Sequence, residues 1–171
     1  MSNHQLFLND LKLNLQGDIL SDDLSLGLYS TDASVYQIKP IVIVLPKNEE
    51  DVVKAIQIAA DHKVSILPRG AGKSLAGQTV GESMILDFSK YMNNVLEINP
   101  VEQWVRVQPG RARDDLNSML KVHGLIFAPD PATSSRANVG GMIGNNSSGT
   151  KRMLYGKTVD HVLELKVLLA D

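Results

Sequence analysis

The 171-residue sequence contains no cysteine. That excludes a disulfide scaffold, a thiolate zinc site, an iron–sulfur cluster and a cysteine nucleophile within this chain. Neither charge is in excess: 17 basic residues stand against 19 acidic ones, for a formal net charge of −2, and Lys151-Arg152 is the densest basic spot. A protein whose main partner is nucleic acid carries a basic footprint that is missing here. Long apolar runs are also missing. Polar and charged residues interrupt the leucines of the opening stretch MSNHQLFLNDLKLNLQG, so the expectation is neither a signal peptide nor a membrane span, with the cytoplasm as the default location. No internal repeat is present.

What remains is an ordinary globular composition, 43% hydrophobic and 21% charged, long enough for one domain or two small subdomains. Residues 3–15 predict an amphipathic helix with Phe7, Leu8, Leu11 and Leu15 on one stripe, read as an appendage. Residues 16–39 show no period and predict loop with one short turn at most. The run IVIVL after Pro40 predicts a buried strand ended by Pro46. Asn48 then caps a helix whose first turn carries Glu49, Glu50 and Asp51 and whose inner face holds Val52, Ile56 and Ala59. VSILP is a second strand, so residues 41–67 form a β-α-β unit, and MILDF (84–88) is a third. VLEIN (95–99) and QWVRVQ (103–108) predict a hairpin, followed by a helix over 112–123 that Gly124 stops. The final segment HVLELKVLLAD alternates Leu163, Leu165, Val167 and Leu169 on one face and predicts a strand. No terminating element follows it, which implies that the chain is the N-terminal piece of a longer protein.

The segment LPRGAGKSLAGQ (67–78) contains Gly72-Lys73-Ser74, the ending of a nucleotide-triphosphate loop. Such a loop needs a glycine five residues before Gly72, where Leu67 stands, and Pro68 removes an amide donor. The dinucleotide fingerprint fails because Leu75 occupies its third glycine position, and the nucleophile elbow fails because the Gly72–Gly77 span is one residue too long. What survives is chemistry: glycines at 70, 72 and 77 with Arg69, Lys73 and Ser74 leave the end of a strand, where backbone N–H groups can converge on an anion. By itself the segment reads equally well as a glycine-rich surface turn. A second segment, NVGGMIGNNSSG, mixes glycines with Asn and Ser side chains between apolar residues, a strip suited to a flat polar heterocycle. It also fits a flexible linker or a glycosylation site.

Taken together, PRGAGKSLAGQ and DPATSSRANVGGMIGNNSSGTKRMLYGKTVDHVLELKVLLAD resemble the two flavin-binding stretches of FAD-linked oxidases of the vanillyl-alcohol oxidase and p-cresol methylhydroxylase type. The nearest flavour is that of the D-2-hydroxyacid dehydrogenases acting on D-lactate, glycolate or D-2-hydroxyglutarate. The resemblance runs from about Tyr29 to the end. It implies an α+β, two-subdomain FAD-binding domain, with residues 1–35 as an N-terminal helix and loop, 36–90 as the first subdomain and 91–171 as the second. It also implies that the backbone of Arg69, Gly70, Ala71, Gly72, Lys73, Ser74 and Leu75 cradles the FAD diphosphate, with side-chain contacts from Ser74 and Gln78. Pro131, Ala132, Thr133, Ser134, Gly140, Gly141, Gly144, Asn145, Asn146, Ser147 and Ser148 would border the flavin and its ribityl chain, and Val162 the adenine end.

Relatives that hold FAD covalently place a histidine where Lys73 stands, so non-covalent FAD is expected. The implied reaction is hydride transfer from a small hydroxy acid bound by a later domain, with an iron–sulfur domain or another electron acceptor as partner. The fragment alone should be inactive. No catalytic residue and no metal ligand is assigned within the chain: His4, His62, His123 and His161 lack metal spacing, and Asp22-Asp23 and Asp114-Asp115 suit a turn and a helix start.

Overall fold

In a strand, neighbouring side chains point to opposite faces, so an unbroken apolar run can be satisfied only by cover on both sides. The computed structural model, which describes residues 3–169, follows this rule in the first of two compact units, residues up to Met92 and residues from Asn93. The elements of the first unit are α1 (Asn3–Asn14), β1 (Asp18–Leu20), α2 (Asp23–Tyr29), β2 (Val42–Leu45), α3 (Glu49–Asp61), β3 (Ile66–Arg69) and β4 (Met84–Asp87). The sheet order is β1-β2-β4-β3, parallel except for β1. Val42, Val44, Met84 and Leu86 face α1 and α3, while Ile43, Leu45 and Ile85 pack with Leu26 of α2 on the other side. The central strands β2 and β4 are buried throughout.

Three expectations change in this unit. The N-terminal helix is no appendage: Phe7, Leu8 and Leu11 sit in the core beside Ala55 and Ala59 of α3, a burial contributing roughly 2 kcal/mol per side chain. The 16–39 segment is not plain loop. It supplies β1, paired antiparallel to β2, and α2, whose N-cap Asp22 accepts from the Ser25 N–H. Only Leu26 of α2 is buried, so no helical period is visible in its sequence. The β-α-β unit is also opened, because β4 lies between β2 and β3. As expected, Asn48 caps α3 by accepting from the Asp51 N–H at 2.9 Å.

The second unit is built on the hairpin of β5 (Val95–Asn99) and β6 (Trp104–Val107), with a bulge between Val95 and Glu97. Helix α4 (Arg113–Leu120) continues into a 3₁₀ turn, Lys121–His123, which ends at Gly124 in the left-handed conformation. Two short helices follow, α5 (Val139–Gly144) and α6 (Arg152–Tyr155), then a 3₁₀ turn at Thr158–His161. Leu116, Leu120 and Val139 form the core with partly buried Val95, Ile98, Val105 and Val107. The expected strand over HVLELKVLLAD is not formed: residues 162–169 have no regular structure, and Leu163, Leu165, Val167 and Leu169 are all exposed. Alternation makes a strand only where an edge and a covering layer receive it, and no strand among the described residues pairs with this one. Residues 170 and 171 of that segment lie outside the described residues.

Candidate functional site

In the first unit the chain leaves the C-terminal end of β3 at Arg69, beside parallel β4, the end of an α/β sheet where ligands collect. Gly72 has φ +62°, and a Cβ there would lie 2.5 Å from an Arg69 guanidinium nitrogen, so this position requires glycine. The Ser74 hydroxyl accepts from the N–H groups of Ala76 and Gln78, both at 3.2 Å, and donates to the Gln78 side-chain oxygen. Those bonds close the second half of the loop on Ser74. The N–H groups of Ala71, Gly72, Lys73, Ser74 and Leu75 have no partner among the described residues, which leaves five consecutive donors around a left-handed residue. That is the makeup of an anion-binding nest. Lys73 is exposed beside them.

The loop stands on a polar cluster that sequence reasoning missed. Arg69 Nη1 donates to the Tyr29 and Thr79 carbonyls at 3.1 and 2.8 Å, and Nη2 to the Thr31 carbonyl at 2.9 Å. Its guanidinium lies 5.1 Å from the Tyr29 ring centre. The Tyr29 hydroxyl donates to buried Asp87 at 2.6 Å, and Thr79 Oγ1 donates to Asp32 at 2.9 Å. Burial, aided by the Asp87 hydrogen bond, pushes the Tyr29 phenol well above its ordinary range. Burial lowers the Arg69 pKa, with the Asp87 charge opposing the shift. An acid inside the apolar run MILDF was the one sequence sign of this cluster.

In the second unit Arg113 donates from Nε to the Pro129 carbonyl at 3.0 Å and pairs with Asp114 and Asp130. Ser134 Oγ donates to Asp114 at 2.9 Å, and the Ser134 N–H to the Pro131 carbonyl. These bonds hold the Pro131–Ser134 turn, with Ala132 and Thr133 exposed. The Ser147 carbonyl accepts from both the N–H and the hydroxyl of Thr158, and Asn146 accepts from the Val159 N–H. Gly149 packs directly on the Asp130 carbonyl, so the 131–134 and 145–148 segments are brought together. Gly140 donates its N–H to the Pro109 carbonyl at 2.8 Å, while Gly141, Gly144 and Asn145 are exposed. Val162 follows the Thr158–His161 turn, partly buried. A cavity of about 570 Å³ opens between Asn146, Arg152, Gly156 and Asp160.

Among the described residues two buried polar atoms, Asn138 Oδ1 and Arg111 Nε, have no partner, although Asn138 Nδ2 donates to the Gly110 carbonyl. Buried polar groups are normally satisfied. An acceptor and a donor left open beside the glycine strip fit a ligand that carries hydroxyls, and the unpaired amides of the first unit, taken by themselves, fit a diphosphate. Among the described residues no group of three His, Cys, Asp or Glu is arranged to hold a metal, and no helix is long and apolar enough to cross a membrane.

Residues 40–171 match the FAD binding domain family. A D-2-hydroxyglutarate dehydrogenase of Pseudomonas putida is 42% identical over 172 aligned positions, covering 98% of this chain and 17% of that protein. The chain thus spans about a sixth of this curated relative. Among solved structures, alkyldihydroxyacetonephosphate synthase superimposes with a TM-score of 0.82 at 25% identity, covering 91% of this chain and 34% of its own. p-Cresol methylhydroxylase with substrate bound gives a TM-score of 0.74 at 19% identity, over 86% and 30%. The fold is therefore the α+β one of the p-cresol methylhydroxylase type.

Proposed function

The chain belongs to the FAD binding domain family, with FAD as its cofactor, and from that premise we propose that it is the cofactor-holding part of an oxidoreductase for a D-2-hydroxy acid. The observation that carries the site is the row of five free N–H groups from Ala71 to Leu75 at the end of β3. Fixed amide dipoles facing a diphosphate stabilise it without any reorganisation on binding. In this reading Arg69 to Leu75 hold the diphosphate by backbone, with Ser74 and Gln78 setting the loop's shape. Pro131–Ser134, Gly140, Gly141, Gly144 and Asn145 to Ser148 line the flavin and ribityl chain, and Val162 the adenine end. The subdomains run over 36–90, with residues 1–35 packed into the core and sheet of this first one, and over 91–171.

When bound, FAD supplies the hydride acceptor for the carbon bearing the substrate hydroxyl. The chain's own work would be to bind the cofactor and orient it. Lys73 gives no histidyl link, so the cofactor is held non-covalently. The substrate carboxylate clamp and the base belong to sequence outside these residues, as does the partner that takes the electrons, an iron–sulfur domain or another acceptor. We place the whole protein in the cytoplasm. The triphosphatase reading has no first glycine, since Leu67 lies within β3.

The test is the full-length protein. It should purify with, or take up, FAD, and anaerobic addition of D-2-hydroxyglutarate, D-lactate or glycolate should bleach the flavin absorbance for one of the three. Failure to take up FAD overturns the assignment. FAD uptake with no bleaching by any hydroxy acid overturns the substrate class alone. Residues 1–171 alone should turn over none of these acids.

A further inference from the structure

We propose that the Arg69 side chain is a positioning residue: it does not touch the diphosphate but clamps the two ends of the glycine loop together and to the segment after α2, fixing the path of the loop that carries the unpaired Ala71–Leu75 amides around left-handed Gly72. This rests on the FAD reading of the loop. Arg69 stands at the loop's start, and Thr79, whose carbonyl accepts from Nη1 at 2.8 Å, stands at its end. Three of the five guanidinium N–H donors are taken by the carbonyls of Tyr29, Thr31 and Thr79. The planar fork fixes these three backbone points at once, which a flexible ammonium cannot do.

The clamp is itself braced. Tyr29 lies under the guanidinium and is anchored by its hydroxyl to buried Asp87, whose other oxygen accepts from the Ser89 N–H at 2.7 Å. Thr79 is tied to Asp32 through its side chain, and Asp32 also accepts from the Ser34 N–H at 2.8 Å. The loop side of the guanidinium is closed by Gly72, where any side chain would collide with it. The five N–H groups have no partner among the described residues to fix them, so their arrangement needs a constraint outside the loop. Arg69 supplies it, and the segment from Tyr29 to Asp32 thereby becomes part of the cofactor site without contacting the cofactor.

A cation touching the diphosphate and a clamp respond differently to salt. Losing the contact flattens the ionic-strength dependence of FAD affinity, whereas losing a clamp lowers affinity with the dependence intact. In the full-length protein, FAD titrations by flavin fluorescence quenching at several ionic strengths should show Arg69→Ala weakening binding about tenfold or more with the wild-type salt dependence. Hydrogen exchange in the FAD-free protein should be faster across residues 70–80, where Gln78 and Val80 are bonded within the loop. Arg69→Lys, which keeps the charge, guards against misfolding of the alanine variant and should lose affinity and exchange protection together, by a smaller factor. A flattened salt dependence in Arg69→Ala, or wild-type affinity and exchange in both variants, overturns the clamp. If the wild-type protein binds no FAD, the FAD reading fails, while the exchange measurement still decides the clamp.

Discussion

At Gly149 a Cβ would lie 1.8 Å from the carbonyl oxygen of Asp130. Both sides of that contact are backbone, so neither can swing away, and relief requires moving the 130–134 turn off the 145–148 segment. Gly149→Ala should destabilise the protein by about 3 kcal/mol, at the high end for overpacking. Urea denaturation of the variant checks this, and a change below about 0.5 kcal/mol, the range of an indifferent surface site, would show that the packing is not as tight as the structure has it. Lys73 marks the opposite limit at this scale. It is exposed, and its interest is chemical rather than structural.

Short elements carry much of the support for the glycine loop. The α2 helix buries Leu26 alone, yet its end presents the Tyr29 and Thr31 carbonyls to Arg69. The β1 strand has three residues, and its Asp18 accepts from Lys90 and Tyr91 at 2.6 and 2.9 Å. These hydrogen bonds, from Lys90 first, hold the Asp18 carboxyl below the ordinary range. Asp32 is also lowered: burial alone would raise it, but the bonds from Ser34 and Thr79 prevail. Carboxylates depressed in the folded state stabilise it above their unfolded value, near about 4, and that contribution is lost as pH falls through the folded values. Tyr29 works at the other limb, because its raised folded pKa means stability present below about pH 10 is lost as pH climbs beyond it. Thermal denaturation against pH should therefore decline at both ends. Asp32→Asn should flatten the acid limb and Tyr29→Phe the alkaline one, and a Tyr29→Phe profile with the alkaline decline unchanged would remove Tyr29 as its source.

For the molecule as a whole, a cofactor that binds only the folded state raises its stability by mass action. In the full-length protein, FAD at about 100 times its dissociation constant should add about 2.7 kcal/mol, seen as a rise in melting temperature that scales with the logarithm of FAD concentration. Lys73→Ala should leave the melting temperature of the FAD-free protein unchanged. A temperature shift that does not depend on FAD concentration would mean that the ligand acts on something other than the folded state.

Local chemistry made several features legible before any tertiary information. The buried run after Pro40, the Asn48 cap, the hairpin over residues 95–108 and the Gly124 stop each depend on neighbours a few residues away, and each is found where expected. The turn character of the glycine loop was legible for the same reason, since the left-handed backbone found at Gly72 and Gly77 is spelled in glycine. Tertiary structure alone decided the rest. No period in the sequence places β4 between β2 and β3, because strand order is set by which faces can be covered on both sides. Nothing near Arg69 in the chain announces that Tyr29, Thr31 and Asp87 stand around it, 18 to 40 residues away. Alternating leucines in residues 163–169 meet the local condition for a strand, but pairing is a relation between two segments, and a segment cannot specify its partner by itself.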